Sequence, residues 1–110
     1  MSGQSRVVSF FVEPESLPVV AQAIEDQVLA RFSALPNFVG LVCLTSQRGA
    51  RAEVVGISLW SGDLDPSEEA SEVLRTGVSQ LTGTIPSRRS YEILRARVLD
   101  ADGVVCVDMP

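Results

Sequence analysis

Histidine and lysine are both missing from this chain of 110 residues. Without histidine there is no Ser-His-Asp or Cys-His nucleophile, no imidazole base and no histidine metal ligand, and no metal site is expected. Without lysine there is no Schiff-base chemistry and no attachment of pyridoxal phosphate. All nine cations are arginines, set against fourteen acids for a net charge of -5. They are dispersed and build no basic stripe, which sets nucleic acid aside as a partner. Long apolar runs are missing as well. The segment Val7 to Val12 is short, has no small-residue cleavage site and runs into Glu13-Pro14. Neither a membrane span nor a signal peptide is expected, and the cytoplasm is the expected compartment. Cysteine is scarce: Cys43 and Cys106 stand far apart, in no CxxC spacing. The expectation is two reduced, mostly buried thiols, with a disulfide between them as the alternative.

What remains is ample for a core, since 45% of the residues are hydrophobic. The length fits a single domain over 1–110, with a core of about 6–99 and a tail over 100–110. Arg6-Val7-Val8-Ser9-Phe10-Phe11-Val12-Glu13 reads as a first strand stopped by Pro14. Ser16 is a candidate N-cap with Pro18 in the first turn. Leu17, Val20, Ile24, Val28, Phe32 and Leu35 then recur at three- and four-residue steps, the apolar face of an amphipathic helix ending before Pro36. Phe38 to Thr45 is a second strand, Gln47-Arg48-Gly49-Ala50-Arg51 a hairpin loop, and Glu53 to Ser61 a third strand. Asp65-Pro66-Ser67-Glu68 opens a second helix, whose buried side is Ala70, Val73, Leu74, Gly77, Val78 and Leu81 and whose end is Gly83. Tyr91 to Leu99 alternates as a fourth strand, Asp100 and Gly103 mark a turn, and the apolar tail Val104-Val105-Cys106-Val107 is suited to a sheet edge, its own or a partner's.

The order β-α-β-β-α-β defines an α+β fold, a ferredoxin-like plait in which two helices cover one face of a four-stranded antiparallel sheet. Strands one and two are nevertheless apolar on both faces. A second copy packing sheet to sheet would cover the surplus, so a homodimer of two-fold symmetry is expected.

The pattern resembles the dimeric α/β-barrel superfamily, in its antibiotic-biosynthesis-monooxygenase-like (ABM) branch. Three features carry the resemblance: the element order over nearly the whole chain, Leu35-Pro36-Asn37-Phe38-Val39-Gly40 at the entry to strand two, and Glu53-Val54-Val55-Gly56-Ile57-Ser58-Leu59-Trp60-Ser61, a third strand ending in tryptophan. Asn37 stands where the branch usually has glycine. The resemblance implies a barrel of two sheets with one small pocket per subunit between sheet and helices, lined by Trp60. It also implies cofactor-independent oxygenase chemistry on aromatic phenols, or haem degradation. The haem-degrading members use a helix-two histidine, which this chain lacks. The oxygenases pair the tryptophan with an asparagine four residues earlier, and that position here is Gly56.

Along strand three, Val55, Ile57 and Leu59 share one face, whereas Val54, Gly56, Ser58 and Trp60 share the other. The volume missing at Gly56 and Ser58 is filled either by a helix, with Phe32 and Gly77 packing down and Trp60 a core residue, or by a flat apolar ligand stacked on the indole. Arg95 and Arg97, reading on one face of strand four with Tyr91, are suited either to holding a phenolate or carboxylate or to keeping an edge soluble. The candidate ligand-binding set is Trp60, Ser58, Gly56, Tyr91, Arg95, Arg97 and Phe32, with no cofactor. The functional expectations are a cofactor-independent oxygenase with a small aromatic ligand, or a non-catalytic binding or assembly module. A cyclase or isomerase would need an acid/base pair for which only Tyr91 and the arginines offer themselves.

Overall fold

The computed structural model describes residues 3–62 and 87–109. The second helix expected from Asp65 to Gly83 lies outside the described residues. Strand β1 (Gly3–Val12) carries the β-branched and aromatic run read from the sequence. The chain then turns through a 3₁₀ turn (Pro14–Ser16), in which the Ser16 N–H donates to the Glu13 carbonyl at 2.9 Å. Ser16 makes no side-chain cap, because Pro14 starts the helical winding two residues early.

The helix that follows is continuous but not uniform. It comprises α1 (Leu17–Ala23), a π-helical stretch (Ile24–Leu29) and α2 (Ala30–Ser33). The apolar spacing explains the wide central winding. Val20, Ile24, Val28 and Phe32 are three consecutive four-residue steps, and four residues of α-helix turn about 400°, so each step carries the stripe about 40° past the sheet. The π winding rotates less per residue and takes that drift back, so both Val20 and Phe32 are buried.

Strands β2 (Phe38–Arg48) and β3 (Arg51–Ser61) form a hairpin around Gly49-Ala50. Gly49 has φ +64° and no non-glycine residue among those described has positive φ, the pattern of a type II′ turn with glycine in its first central place. At the entry to β2 a bulge leaves Val39 unmatched: Phe38 pairs with Trp60, and Gly40 with Leu59. Strand β4 (Ser87–Ile93) pairs with β1, completing an antiparallel sheet in the order β2-β3-β1-β4, which is the ferredoxin-like arrangement.

The single strand expected from Tyr91 to Leu99 is divided at Leu94-Arg95. Its second half, β5 (Ala96–Leu99), leaves the sheet and pairs with β6 (Val105–Met109). The turn between them is the reason. Asp100 Oδ1 accepts the N–H groups of Asp102 and Val104 at 2.8 and 2.9 Å, and Gly103 sits at φ +81°. A well-made local turn captures the apolar tail and draws 96–99 onto it.

The β1–β3 register puts Val8, Phe10, Val12, Ala52 and Val54 on the helix-facing side, where they pack with Val20, Leu17 and Ile24. A second cluster joins Val28, Phe32 and Trp60. The opposite face presents Val7, Val55, Ile57 and Leu59, half-buried, with Phe11, Val42, Leu44 and Tyr91 exposed. No described helix is long and apolar enough to cross a membrane. Because the II′ turn needs positive φ at Gly49, Gly49→Val is expected to cost about 1–3 kcal/mol in urea unfolding, with the helix unchanged by circular dichroism.

Candidate functional site

Trp60 has no exposed surface. The indole is boxed by Phe32, with ring centroids 5.0 Å apart at 67°, and by Phe38 at 5.2 Å and 62°, while the two phenyl rings lie 5.7 Å apart. These are edge-to-face geometries, each worth about 0.5–1.5 kcal/mol beyond area burial. The bulge at Val39 brings Phe38 into line with Trp60, and the helix winding brings in Phe32.

Ser58 serves this cage. The Trp60 Nε1–H donates to Ser58 Oγ at 2.8 Å, and the Ser58 hydroxyl donates onward to the Arg6 carbonyl at 3.4 Å. The small residue before the tryptophan therefore holds the indole N–H, which would otherwise be buried without an acceptor. Arg6 lies opposite Ser58 on β1 and is 2% exposed, a guanidinium on the same face as the aromatic cage and itself engaged. Sequence reasoning passed over Arg6, although the signal was there: counting back by twos from Val12, Phe10 and Val8 lands on it.

The open space lies further along the sheet. An apolar cleft of about 240 Å³ separates α1 from the β2–β3 hairpin, lined by Leu17, Val20, Ala21, Ile24, Cys43, Leu44, Thr45 and Val54. An apolar cavity of about 150 Å³ suffices for benzene, so this one has room for a second fused ring. Gly56 sits beside it: among the described residues a Cβ there would meet only Cys43 Sγ, at 4.0 Å. Thr45 directs its hydroxyl to the Glu53 carbonyl at 3.0 Å, so the walls select by shape rather than by polar contact.

The candidate residues thus divide. Trp60, Ser58 and Phe32 form the closed cage, and Gly56 borders the cleft. Tyr91 pairs with Ser5 and belongs to the opposite sheet face, 48% exposed. Arg95 and Arg97 sit in the segment that leaves the sheet. Arg95 forms an ion pair with Asp108 at 2.8 Å, and Arg97 lies opposite Asp108 across the β5–β6 hairpin. Gly77 lies outside the described residues. Among the described residues no cluster of three cysteines or acids is placed to hold a metal.

Both thiols are free and exposed, which corrects the expectation of burial. For Cys43 the cause is its place on β2, an edge strand beyond the reach of α1. Its Sγ still lies against the apolar walls of the cleft, and this desolvation pushes the thiol pKa up.

No family model matches the chain, and no curated protein matches it. Solved structures do. The monooxygenase from the gene ActVA-Orf6 of Streptomyces coelicolor, in complex with nanaomycin D, aligns with a TM-score of 0.63 at 18% identity, over 91% of this chain and 94% of its own. A variant of SnoaB, a cofactor-independent oxygenase from Streptomyces nogalater, aligns at 0.55 and 17% identity over 91% and 99%. The de novo designed protein Foldit4 aligns at 0.62 and 13% over 87% and 100%. The chain shares the ferredoxin-like α+β fold of these solved structures. That a designed protein fits as well as the two oxygenases underlines that these likenesses concern the fold alone.

Two outcomes follow from the site geometry. Ser58→Ala strands the buried indole N–H and is expected to cost about 1–3 kcal/mol in denaturant unfolding. The raised Cys43 pKa means that the folded state holds its proton longer than the unfolded state. Its contribution to stability is present below the unfolded thiol pKa and is lost as pH rises through the folded value. Alkylation of Cys43 by iodoacetamide, followed by mass spectrometry near neutral pH, should accordingly be slower in the folded than in the unfolded protein.

Proposed function

We propose that the protein is a small cytoplasmic homodimer that takes up a small aromatic or apolar molecule on the helix-facing side of its sheet and oxygenates it without a cofactor. The observation that carries this reading is the apolar cleft between α1 and the β2–β3 hairpin, next to Gly56, where among the described residues a side chain would meet only Cys43 Sγ. Support also comes from the two oxygenases among the structural neighbours, one of them in complex with nanaomycin D and the other cofactor-independent by its own description. The dimer rests on the apolar sheet face formed by Val7, Val55, Ile57 and Leu59, which a second sheet would cover.

The chemistry asks little of the chain. An electron-rich phenolate passes an electron to O₂, the radical pair couples at carbon, and loss of water from the resulting hydroperoxide leaves a quinone. Phenol and O₂ become quinone and water, with no outside reductant. The protein contributes a dry apolar wall and, on the same sheet face, the buried cation Arg6. Tyr91 faces away from the cleft and has no part in this step.

A second reading, a non-catalytic binding module, is favoured by one specific observation. Gly56 stands where a polar partner for the tryptophan would be needed, and the Ser58 hydroxyl is already committed to the indole. Oxygen uptake across a panel of naphthols, anthrones and quinols separates the two. Uptake above background with at least one of them is expected, falling about tenfold or more in Ala21→Phe, which fills the cleft from an exposed helix position. Gly56→Asn should raise the rate. Background uptake throughout, with saturable binding of a naphthol that Ala21→Phe removes, would establish the binding module instead. Neither uptake nor binding would sink both.

A further inference from the structure

The cleft and the aromatic cage lie on one face of the sheet, and the β2–β3 register arranges them in rows. Thr45 opposite Val54 lies within the cleft, and Cys43 opposite Gly56 comes next. Leu41 opposite Ser58 follows, and Phe38 opposite Trp60 is the last. Rows on one face are two residues apart, so the Gly56 and Trp60 rows are separated by about 13 Å. The helix above keeps the same order. Val20 packs in the cluster beside the cleft, whereas Val28 and Phe32 pack in the cluster around the indole.

Ile24 stands midway between Val20 and Val28 and opens the π-helical stretch. Among the described residues it alone packs against both clusters, and it also lines the cleft. On the helix the described walls of the cleft end at Ile24, and on β2 they end at Cys43. Leu41, the next residue of β2 on that face, already packs with the indole cluster. Beneath it, Ser58 holds the indole N–H at 2.8 Å, so the indole turns its N–H edge towards the cleft side of the cage. A side chain from the helix and one from β2 thus stand at the row that parts the two.

We infer that Ile24 is the specificity-determining residue of the cleft: with Leu41 it forms a partition that keeps a bound molecule off Trp60 and limits it to two fused rings. The inference rests on the binding reading above and narrows its substrate class to naphthalene-sized aromatics. A third ring in line with the first two would need the space that Ile24 fills. A β-branched side chain in a helix is nearly fixed at χ1, so Ile24 does not swing aside to admit it. In such a pocket a mismatch of a single methylene already discriminates by about tenfold or more.

Affinities of the full chain for 2-naphthol and anthrone are measured anaerobically by calorimetry. Contacts are read as nuclear Overhauser effects from ligand to the indole Nε1–H, a single resonance because Trp60 is the only tryptophan. The wild type is expected to favour 2-naphthol by about tenfold or more, with neither ligand in contact with the indole. In Ile24→Ala that preference should fall about tenfold or reverse, and bound anthrone should reach the indole N–H. Ile24→Val should move the preference the same way by a smaller factor, and it decides the matter if the alanine variant does not fold. Naphthol bound against the indole in the wild type, a wild type that favours anthrone, or a folded variant with unchanged preference overturns the partition and leaves the binding reading standing. No binding of either ligand by the wild type overturns both.

Discussion

The ten consecutive antiparallel pairs between β1 and β3, from Gly3 opposite Ser61 to Val12 opposite Ala52, set the terms for everything else in the molecule. In a strand the side chains alternate, so a slip of one residue would exchange the two faces completely. The register in place sets Arg6 against Ser58, Val8 against Gly56 and Phe10 against Val54. It gathers the bulk of the core at one end of the helix-facing side and the tryptophan at the other. The lone hydroxyl between them ties the indole to the β1 backbone, so burial and register reinforce each other.

This arrangement concentrates aromatic area at Trp60 and leaves little volume further along. Phe32, Phe38 and Trp60 fill their end of the sheet, while Gly56, Ala21 and Cys43 are too small to fill theirs. Packing that is generous at one end and thin at the other is a way of keeping a cavity open without a separate scaffold for it. Among the described residues the cleft's walls are mostly aliphatic, and the Thr45 hydroxyl is turned to the Glu53 carbonyl.

Much of the fold was legible because its signals are local and periodic. Pro14, Gly49, Asp100 and Gly103 punctuate the chain as turn chemistry requires, and the alternation in β3 gave the buried face correctly. The division of the last strand was not legible. Residues 96–99 alternate equally well in a central sheet and in a separate ribbon, and only the strength of the Asp100 turn decides between them. The aromatic cage was readable as one of two alternatives. Sequence gave Phe32 and Trp60 one face, but the contribution of Phe38 depends on the bulge at Val39, which no pattern announced. The grouping of Tyr91, Arg95 and Arg97 assumed an unbroken strand. Burial of Cys43 was expected from residue habit, and the edge position of β2 overrode it.

The π-helical stretch over Ile24–Leu29 has a consequence for how the chain tolerates change in length. It works as a phase adjuster between two docking sites on one rod: Leu17 and Val20 engage the sheet ahead of it, and Phe32 engages Trp60 behind it. Substitution within the stretch leaves that phase intact. Deletion of one residue would let regular winding take over almost in phase, since eleven α-helical steps from Val20 to Phe32 turn about 1100°, three turns and about 20°. Deletion of two would swing the rear half by about 100° more, turning Phe32 away from the indole while the front half stayed seated. For these six residues their number matters more than their identity.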